Sequence, residues 1–479
     1  MRQLPSPSRR RALLAAALAG LMAGCAPPPT RGRGAARVLV IGAGFAGLSA
    51  ARALRQSGCE VVVLEARERI GGRVLTDRSL GVPIDLGPSW LHGGPKNPLK
   101  PVATAANIAT RVTDYANFRF TQVQAGRRLQ IAPADVMRFA ARFTGTLESA
   151  NLWASLALGT PAGGGATGRP LSVADAFNEA VRRIERESGP PDPGVVALQR
   201  WVLESNLAAP LEEVGLAALL DESDTGVSDS LLPDDDRYMV GGMDRLPALL
   251  ALDLDIRLGQ PVRGIEWRNG AVRIDAAGGD WRADAVVVTV PLGVLASGAL
   301  HFAPALPASF TQALGRLRMG LLNKVYLRFD RPYWDPDADF LTFYSDPPPL
   351  CYAWLNMLRY TGEPALIGFT SGMRARDVER MSDQQVIALV ARRLRSSRGA
   401  QAPEPSAIRV SRWGADPYAR GSYSFPGVGA SGADRDRLAV PIADTVFFAG
   451  EATHRDDPGS VHGAWWSGLR VAQQVLARA

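Results

Sequence analysis

The sequence predicts an α/β fold organised on a sheet whose strands come from distant parts of the chain. Three observations carry this. Arg37 to Val74 reads as strand, glycine turn, helix and strand. Ala285 to Val290 is a short, wholly apolar run ending at Pro291. Thr445 to Ala449 is another buried-strand run, followed by a helical pattern from Val461 to Ala477.

The first unit justifies itself residue by residue. Val38 to Ile41 is a β-branched-rich strand, and Gly42, Gly44 and Gly47 follow it as G-A-G-F-A-G. The next segment places Leu48, Ala51 and Leu54 on one helical face, Gly58 ends it, and Val61 to Leu64 delivers Glu65. In such a Rossmann-like unit Gly42 makes the tight turn. Gly44 lets backbone approach a pyrophosphate, and Gly47 lets helix pack on strand. The helix N-terminus offers free N–H groups to phosphate, and Glu65 can accept hydrogen bonds from a ribose. The motif alone does not separate NAD from FAD. The string E-A-R-E-R-I-G-G-R that follows carries Arg67, Gly71, Gly72 and Arg73. Paired glycines permit a bend with positive φ, and Arg73 can grip a phosphate. This string resembles the diglycine extension of a large group of FAD-binding oxidases and desaturases.

The chain's 479 residues suffice for two or three domains, and a hydrophobic content of 46% is that of an ordinary globular protein. The net charge of +7 falls to +3 without Arg2, Arg9, Arg10 and Arg11, and no basic run is interleaved with aromatics, so nucleic acid is not an expected partner. Three cysteines, Cys25, Cys59 and Cys351, have no metal-site spacing and are too few for a disulfide framework; a Cys59–Cys351 bridge is conceivable but not argued for. Residues 1–24 read as a signal peptide, with a basic start and an apolar stretch too short to span a bilayer. Ser8 to Leu14 resembles a bacterial twin-arginine export signal. Leu21 to Cys25 resembles a lipoprotein cleavage box, with Met22 in place of the usual leucine. The expectation is export to the periplasm or cell surface, with a lipid on Cys25 as the only membrane contact. Residues 25–36 read as a Pro/Gly-rich tether.

Further along, Ile84 to Gly94 reads I-D-L-G-P-S-W-L-H-G-G, and mostly helical patterns follow. Ser172 is an N-cap for a helix from Val173 to Glu187. Loops fall at Pro161 to Pro170 and Ser188 to Gly194. Asp234 to Asp236 reads as a solvated acidic turn. Leu246 to Leu252 reads as a helix, with strands at Asp255 to Leu258 and Val262 to Trp267. Ser382 and Gln385 form a capping box for a helix through Leu394.

The chemistry is concentrated at the C-terminal end. F-F-A-G-E-A-T-H (Phe447 to His454) and G-S-V-H-G-A-W-W-S-G (Gly459 to Gly468) are similar to the C-terminal signature of flavin-dependent amine oxidases, which include monoamine, polyamine and L-amino-acid oxidases and flavin-dependent histone demethylases. Read without the family, a strand delivers Gly450 and Glu451 to a loop, where Glu451 can bond ribityl hydroxyls. The helix beginning near Ser460 points a positive dipole end at that loop.

The resemblance implies more. Lys324, in L-L-N-K-V-Y-L-R-F, matches the family strand whose lysine holds a water near flavin N5; strand pattern alone would favour a solvated face. Tyr423 matches one wall of an aromatic cage for the amine. Ser460 falls where a second aromatic wall is usual, leaving a half-built cage. Trp465 and Trp466 read as core. Ser422 stands where covalently flavinylated members carry cysteine, so FAD is expected to be non-covalent. S-W-L-H-G (Ser89 to Gly93) is similar to the W-[IV]-H-G segment of polyamine oxidases and nominates His92 as facing the substrate. By the same resemblance Gly87, Ser89, Trp90, Val262, Trp413, Ser460 and Val461 join the cofactor-binding set, with no metal.

The expected architecture is a Rossmann-like FAD-binding domain from residues 37–115, 238–298 and 413–479. A discontinuous mixed α+β substrate domain comes from residues 116–237 and 299–412. The expected reaction oxidises a polyamine, or another primary or secondary amine, to an imine and reduces O2 to H2O2, with no acid–base pair evident. A desaturase or porphyrinogen-type oxidase, or a flavin-binding scaffold without turnover, remains the alternative.

Overall fold

The computed structural model describes residues 36–93, 97–124, 127–149, 170–222, 235–398 and 402–478. The signal peptide, the lipoprotein box, the tether up to Ala35, Asp234 and most of the Pro161 to Pro170 loop lie outside them.

Five parallel strands form the central sheet, in the order Asp255–Arg257, Glu60–Leu64, Arg37–Ile41, Ala285–Val288 and Val446–Phe448. The register Val40↔Val63 and Val40↔Val287 puts the first strand at the centre, and its residues from Val38 to Ile41 are all buried. The helices Phe45–Gln56 and Val461–Ala477 cover one face through a core that includes Leu48, Leu54, Phe447 and Trp465. The other face is covered by a four-stranded sheet and the helix Ala308–Arg316, through Leu39, Ile274, Phe310 and Phe448. Removing that apolar surface from water drives the assembly of segments so remote in sequence.

The second large sheet has seven strands: Ala407–Val410, Leu322–Arg328, Ala365–Ser371, Ala353–Asn356, Phe340–Ser345, Phe118–Gln124 and Arg127–Ile131. It corrects the helical reading of the segment after Gly94, where strands at Thr110–Val112, Phe118–Gln124 and Arg127–Ile131 precede the helix Pro133–Ser149. Alternation in F-R-F-T-Q-V-Q buries Phe118 and Phe120 on one face against Leu355, Ile367 and Tyr326, so the period is that of a strand.

The Ser172 cap holds a helix over Val173–Ser188, with Asp175 completing a capping box. The Ser382–Gln385 box holds Asp383–Arg398. A small sheet joins Trp90–Leu91, Arg237–Met239 and Thr110–Val112 and draws three distant loops together. Cys59 and Cys351 are both free thiols.

Candidate active site

The glycine turn comes first. A Cβ on Gly47 would lie 1.9 Å from the Gly42 carbonyl oxygen, so only glycine lets the helix sit this close to the turn. Gly44 is the N-cap and makes no side-chain cap, and a Cβ there would meet no atom within 4 Å. An open cradle therefore lies at an uncapped helix N-terminus, which fits the pyrophosphate of a dinucleotide. Gly72 backs it, 3.4 Å from Gly44 Cα by the same measure.

At the end of the neighbouring strand, buried Glu65 accepts from Ala43 N–H (2.7 Å) and Arg67 N–H (2.9 Å), one on each oxygen. Each oxygen keeps a lone pair for a ribose hydroxyl. Gln260 N–H donates to Glu65 O and Gly259 N–H to Arg67 O, tying the loop before Val262 to this end of the site. Arg67 pairs with Asp416 at 2.8 Å and lies over the Tyr418 ring.

Two expectations change at the C-terminal loop. Arg73 directs Nη1 to Glu451 Oε1 and to Ser422 O, both at 2.8 Å, so this nitrogen grips a carboxylate and a carbonyl rather than a phosphate. Glu451 also accepts from Ser424 Oγ (2.6 Å), Ser424 N–H and Gly459 N–H (2.9 Å). Burial works to raise its pKa, but the Arg73 and Arg435 guanidinium groups prevail and hold it below the usual carboxylate range. Its acceptor sites are filled by the protein. Glu451 is thus the knot joining Arg73, Ser424 and the turn at Gly459, not a free acceptor for ribityl hydroxyls. Gly450, just before it, has φ +139° and open space beside it.

Lys324 is buried, which excludes the solvated face. Its Nζ donates to Gly87 O (2.5 Å), Ser89 Oγ (2.6 Å) and Asp85 O (3.0 Å). Three donors thus meet three protein oxygens. Burial pushes its pKa down to about 8, partly offset by the Asp85 carboxylate. Asp85 is pushed up to about 6 by burial, against its bonds from Thr76 and Met243 and the nearby Lys324. Its Oδ2 has no hydrogen-bond partner among the described residues. The Trp90 and Phe369 rings lie 5.7 and 5.9 Å from Nζ.

On the opposite side of the same strand, Asn323 accepts the Trp413 N–H (3.0 Å) and donates to Glu379, which also takes Gly414 and Ala415 N–H. Trp413 Nε1 donates to Leu86 O. The lysine strand, the Trp413 loop and the Asp85–Ser89 segment are thus one bonded unit.

Tyr423 donates its hydroxyl to Ser205 O at 2.5 Å, and burial raises its pKa. Its ring lies against the turn at Gly459, where an added Cβ would be 3.1 Å from Tyr423 Cδ2. Ser422 Oγ bonds the Leu322 backbone. Ser460, at the position of the expected second wall, is a helix cap. Its hydroxyl accepts from Gly463 N–H (2.9 Å) and donates to Asp457 O (2.8 Å), capping the helix that begins at Val461. Trp465 is buried in the core and Trp466 packs against it, so neither supplies a wall.

The acidic turn also differs from its solvated reading. Asp235 pairs with Lys100 and Arg237, and Asp236 is wholly buried. Asp236 Oδ2 meets His92 Nδ1 at 2.5 Å and accepts the Tyr115 hydroxyl at 2.9 Å. Sequence reasoning missed Asp236, Asp85, Asn323 and Glu379. Asp85 alone left a signal, as an acid within an apolar run.

The family described as flavin containing amine oxidoreductase matches residues 45–476. Polyamine oxidase 2 of Arabidopsis thaliana is 36% identical over 92% of this chain and 88% of its own length. Lysine-specific histone demethylase 1 homolog 1 of Oryza sativa subsp. japonica is 34% identical over 95% of this chain but 53% of its own. The solved cyclohexylamine oxidase of Brevibacterium oxydans IH-35A has the same fold, with a TM-score of 0.76 at 23% identity over 93% of this chain and 99% of the other.

Proposed function

Since this chain belongs to the flavin containing amine oxidoreductases, and is an FAD-dependent amine oxidase, we propose that its substrate is a polyamine or a related secondary amine. One observation carries the choice: the likeness to polyamine oxidase 2 runs through 88% of that enzyme, whereas the demethylase is matched over 53%.

The chemistry supplied by bound FAD is removal of a hydride equivalent from the α-carbon of a neutral amine, with O2 as acceptor and H2O2 as product. This chain's residues do the rest. Gly42, Gly44, Gly47, Glu65 and the Gly71–Gly72 turn hold the dinucleotide, and no thiol stands at Ser422 to link it. Lys324 fixes Asp85, Gly87 and Ser89 and brings a positive charge to a dry site, where it favours negative charge on the oxygen species formed at turnover. Tyr423 is the aromatic surface an alkyl ammonium or amine packs on. His92, half-exposed next to Trp90, faces the substrate.

The test is a peroxide-coupled screen of the purified holoprotein against polyamines, monoamines and amino acids. Turnover best with polyamines supports the proposal. Best turnover with small primary monoamines overturns the substrate class, and no peroxide with any amine returns the scaffold reading. Export is proposed on Ser8 to Leu14; replacing Arg9 and Arg10 by lysine should trap the protein in the cytoplasm, and unchanged export would reject it.

A further inference from the structure

The aromatic surface at Tyr423 is only as fixed as the backbone it leans on. Its ring lies against Gly459, where an added Cβ would be 3.1 Å from Tyr423 Cδ2, and Gly459 turns the chain with φ +67°. Gly459 N–H donates to Glu451 Oε2 at 2.9 Å, so the same turn serves the Arg73–Glu451 knot. The turn is also tied to the helix Val461–Ala477. Ser460 Oγ donates to Asp457 O at 2.8 Å, and a Cβ on Gly463 would lie 1.9 Å from that same oxygen. The position of Asp457 therefore sets the position of Gly459.

Two histidines hold Asp457, one by its backbone and one by its carboxylate. Asp457 N–H donates to His454 Nδ1 at 3.0 Å, so that nitrogen carries no hydrogen. Asp457 Oδ1 lies 3.0 Å from His462 Nε2; a carboxylate only accepts, so Nε2 carries the hydrogen. The other nitrogen of His462 is fixed by Asn97. Asn97 Oδ1 accepts from Leu99 N–H, which turns Nδ2 toward His92 O (2.6 Å) and His462 Nδ1 (3.4 Å). His462 Nδ1 is thus an acceptor. Both rings are neutral in this arrangement, and their side chains are 18% and 11% exposed.

We infer that His454 and His462 grip Asp457 as positioning residues, and that this grip sets the turn against which the Tyr423 ring receives the amine. This rests on the reading of Tyr423 as the surface the amine packs on, and deepens it. The grip is sensitive to acid on one side. A proton on His454 Nδ1 puts a hydrogen where Asp457 N–H points, and that bond is lost. Burial pushes the His454 pKa below the usual 6.5, with Asp457 and Asp456 acting against it. The folded turn therefore favours the neutral ring. The stability this ring gives the turn is complete above about pH 6.5 and is lost as pH falls below it. The other charged and titratable groups around the ring are Arg470 and His462 from the helix, Glu451 bonded to the turn, and Arg455, which pairs with Asp221 and Asp436.

The experiment titrates the holoproteins with hexamethonium, a bis-quaternary ammonium whose charge is the same at every pH and which packs on aromatic faces. Binding is read from the flavin absorbance, near pH 7.5 and near pH 5, for the parent, His454→Gln and His454→Phe. Glutamine keeps an acceptor for Asp457 N–H and does not titrate; phenylalanine keeps a ring and has no acceptor. His454→Phe should bind about fivefold more weakly than the parent near pH 7.5. His454→Gln should bind as the parent does there and keep that affinity near pH 5, where the parent falls toward the phenylalanine variant. The polyamine KM of His454→Phe should rise by about the same factor, with kcat within about twofold of the parent. Equal affinity in the two variants, or a parent that follows His454→Gln at both pH values, overturns the inference. If His454→Phe does not fold, His462→Leu carries the same test near pH 7.5, and parent-like binding by it overturns the inference. A parent that oxidises amines but binds no hexamethonium refutes this inference alone, whereas a parent that makes no peroxide with any amine refutes the amine-oxidase reading.

Discussion

Replacing Lys324 by methionine separates its burial from its bonding. The ammonium is sealed from water and its pKa lies near 8, against 10.5 for an ordinary lysine. Holding the charge there at neutral pH costs about 3 kcal/mol. Above about pH 8 the folded protein releases this proton while the unfolded chain keeps it until about 10.5. The unfolded state then binds more protons, so this group's contribution to stability rises with pH. Between pH 7 and 9.5 the parent should gain about 2 kcal/mol relative to Lys324→Met. The Asp85 and Gly87 carbonyl oxygens and the Ser89 hydroxyl that the variant leaves without this donor do not titrate, so the slope above pH 8 is the informative quantity. The assay is urea unfolding of both holoproteins at the two pH values, followed by circular dichroism. Parallel pH profiles would refute a dehydrated ammonium at this position. Lys324→Met should also keep its FAD and slow a flavin step about tenfold, worth about 1.4 kcal/mol; unchanged reduction and reoxidation rates would remove the lysine from the mechanism.

Two further substitutions test the two ends of the cofactor site. Gly47→Ala sets a methyl group 1.9 Å from the Gly42 carbonyl oxygen, so the purified protein should lose most of its visible flavin absorbance; full occupancy would mean the turn can yield. Ser460→Ala removes the cap on Gly463 N–H and should cost about 1 kcal/mol in urea unfolding, with KM unchanged for both small and bulky amines. Opposite KM shifts for the two amines on Ser460→Tyr would restore the half-built cage.

The local order of the cofactor unit was legible in the sequence because short-range physics sets it. Turn, helix and strand over Arg37 to Leu64 follow from glycine spacing and apolar period, and the same holds for the Val446–Phe448 strand and the helix from Val461. The capping serines at 172 and 382 were legible for the same reason, since a cap acts within one turn.

What the tertiary structure decided is where each polar side chain spends its hydrogen bonds. Lys324 alternates with apolar neighbours as a surface lysine would, and only the approach of the Asp85–Ser89 segment, 235 or more residues away in sequence, buries it and satisfies it. Asp236 sits in an acidic run that reads as solvated, yet the small sheet closes over it and hands it His92 and Tyr115. Glu451 reads from its motif as an acceptor for ribityl hydroxyls, yet Arg73, from 378 residues earlier, donates to it together with Ser424 and Gly459. A sequence shows which side chains can donate and accept, and at what local spacing. Desolvation, which decides what each such group must pair with, is a property of the packed chain alone.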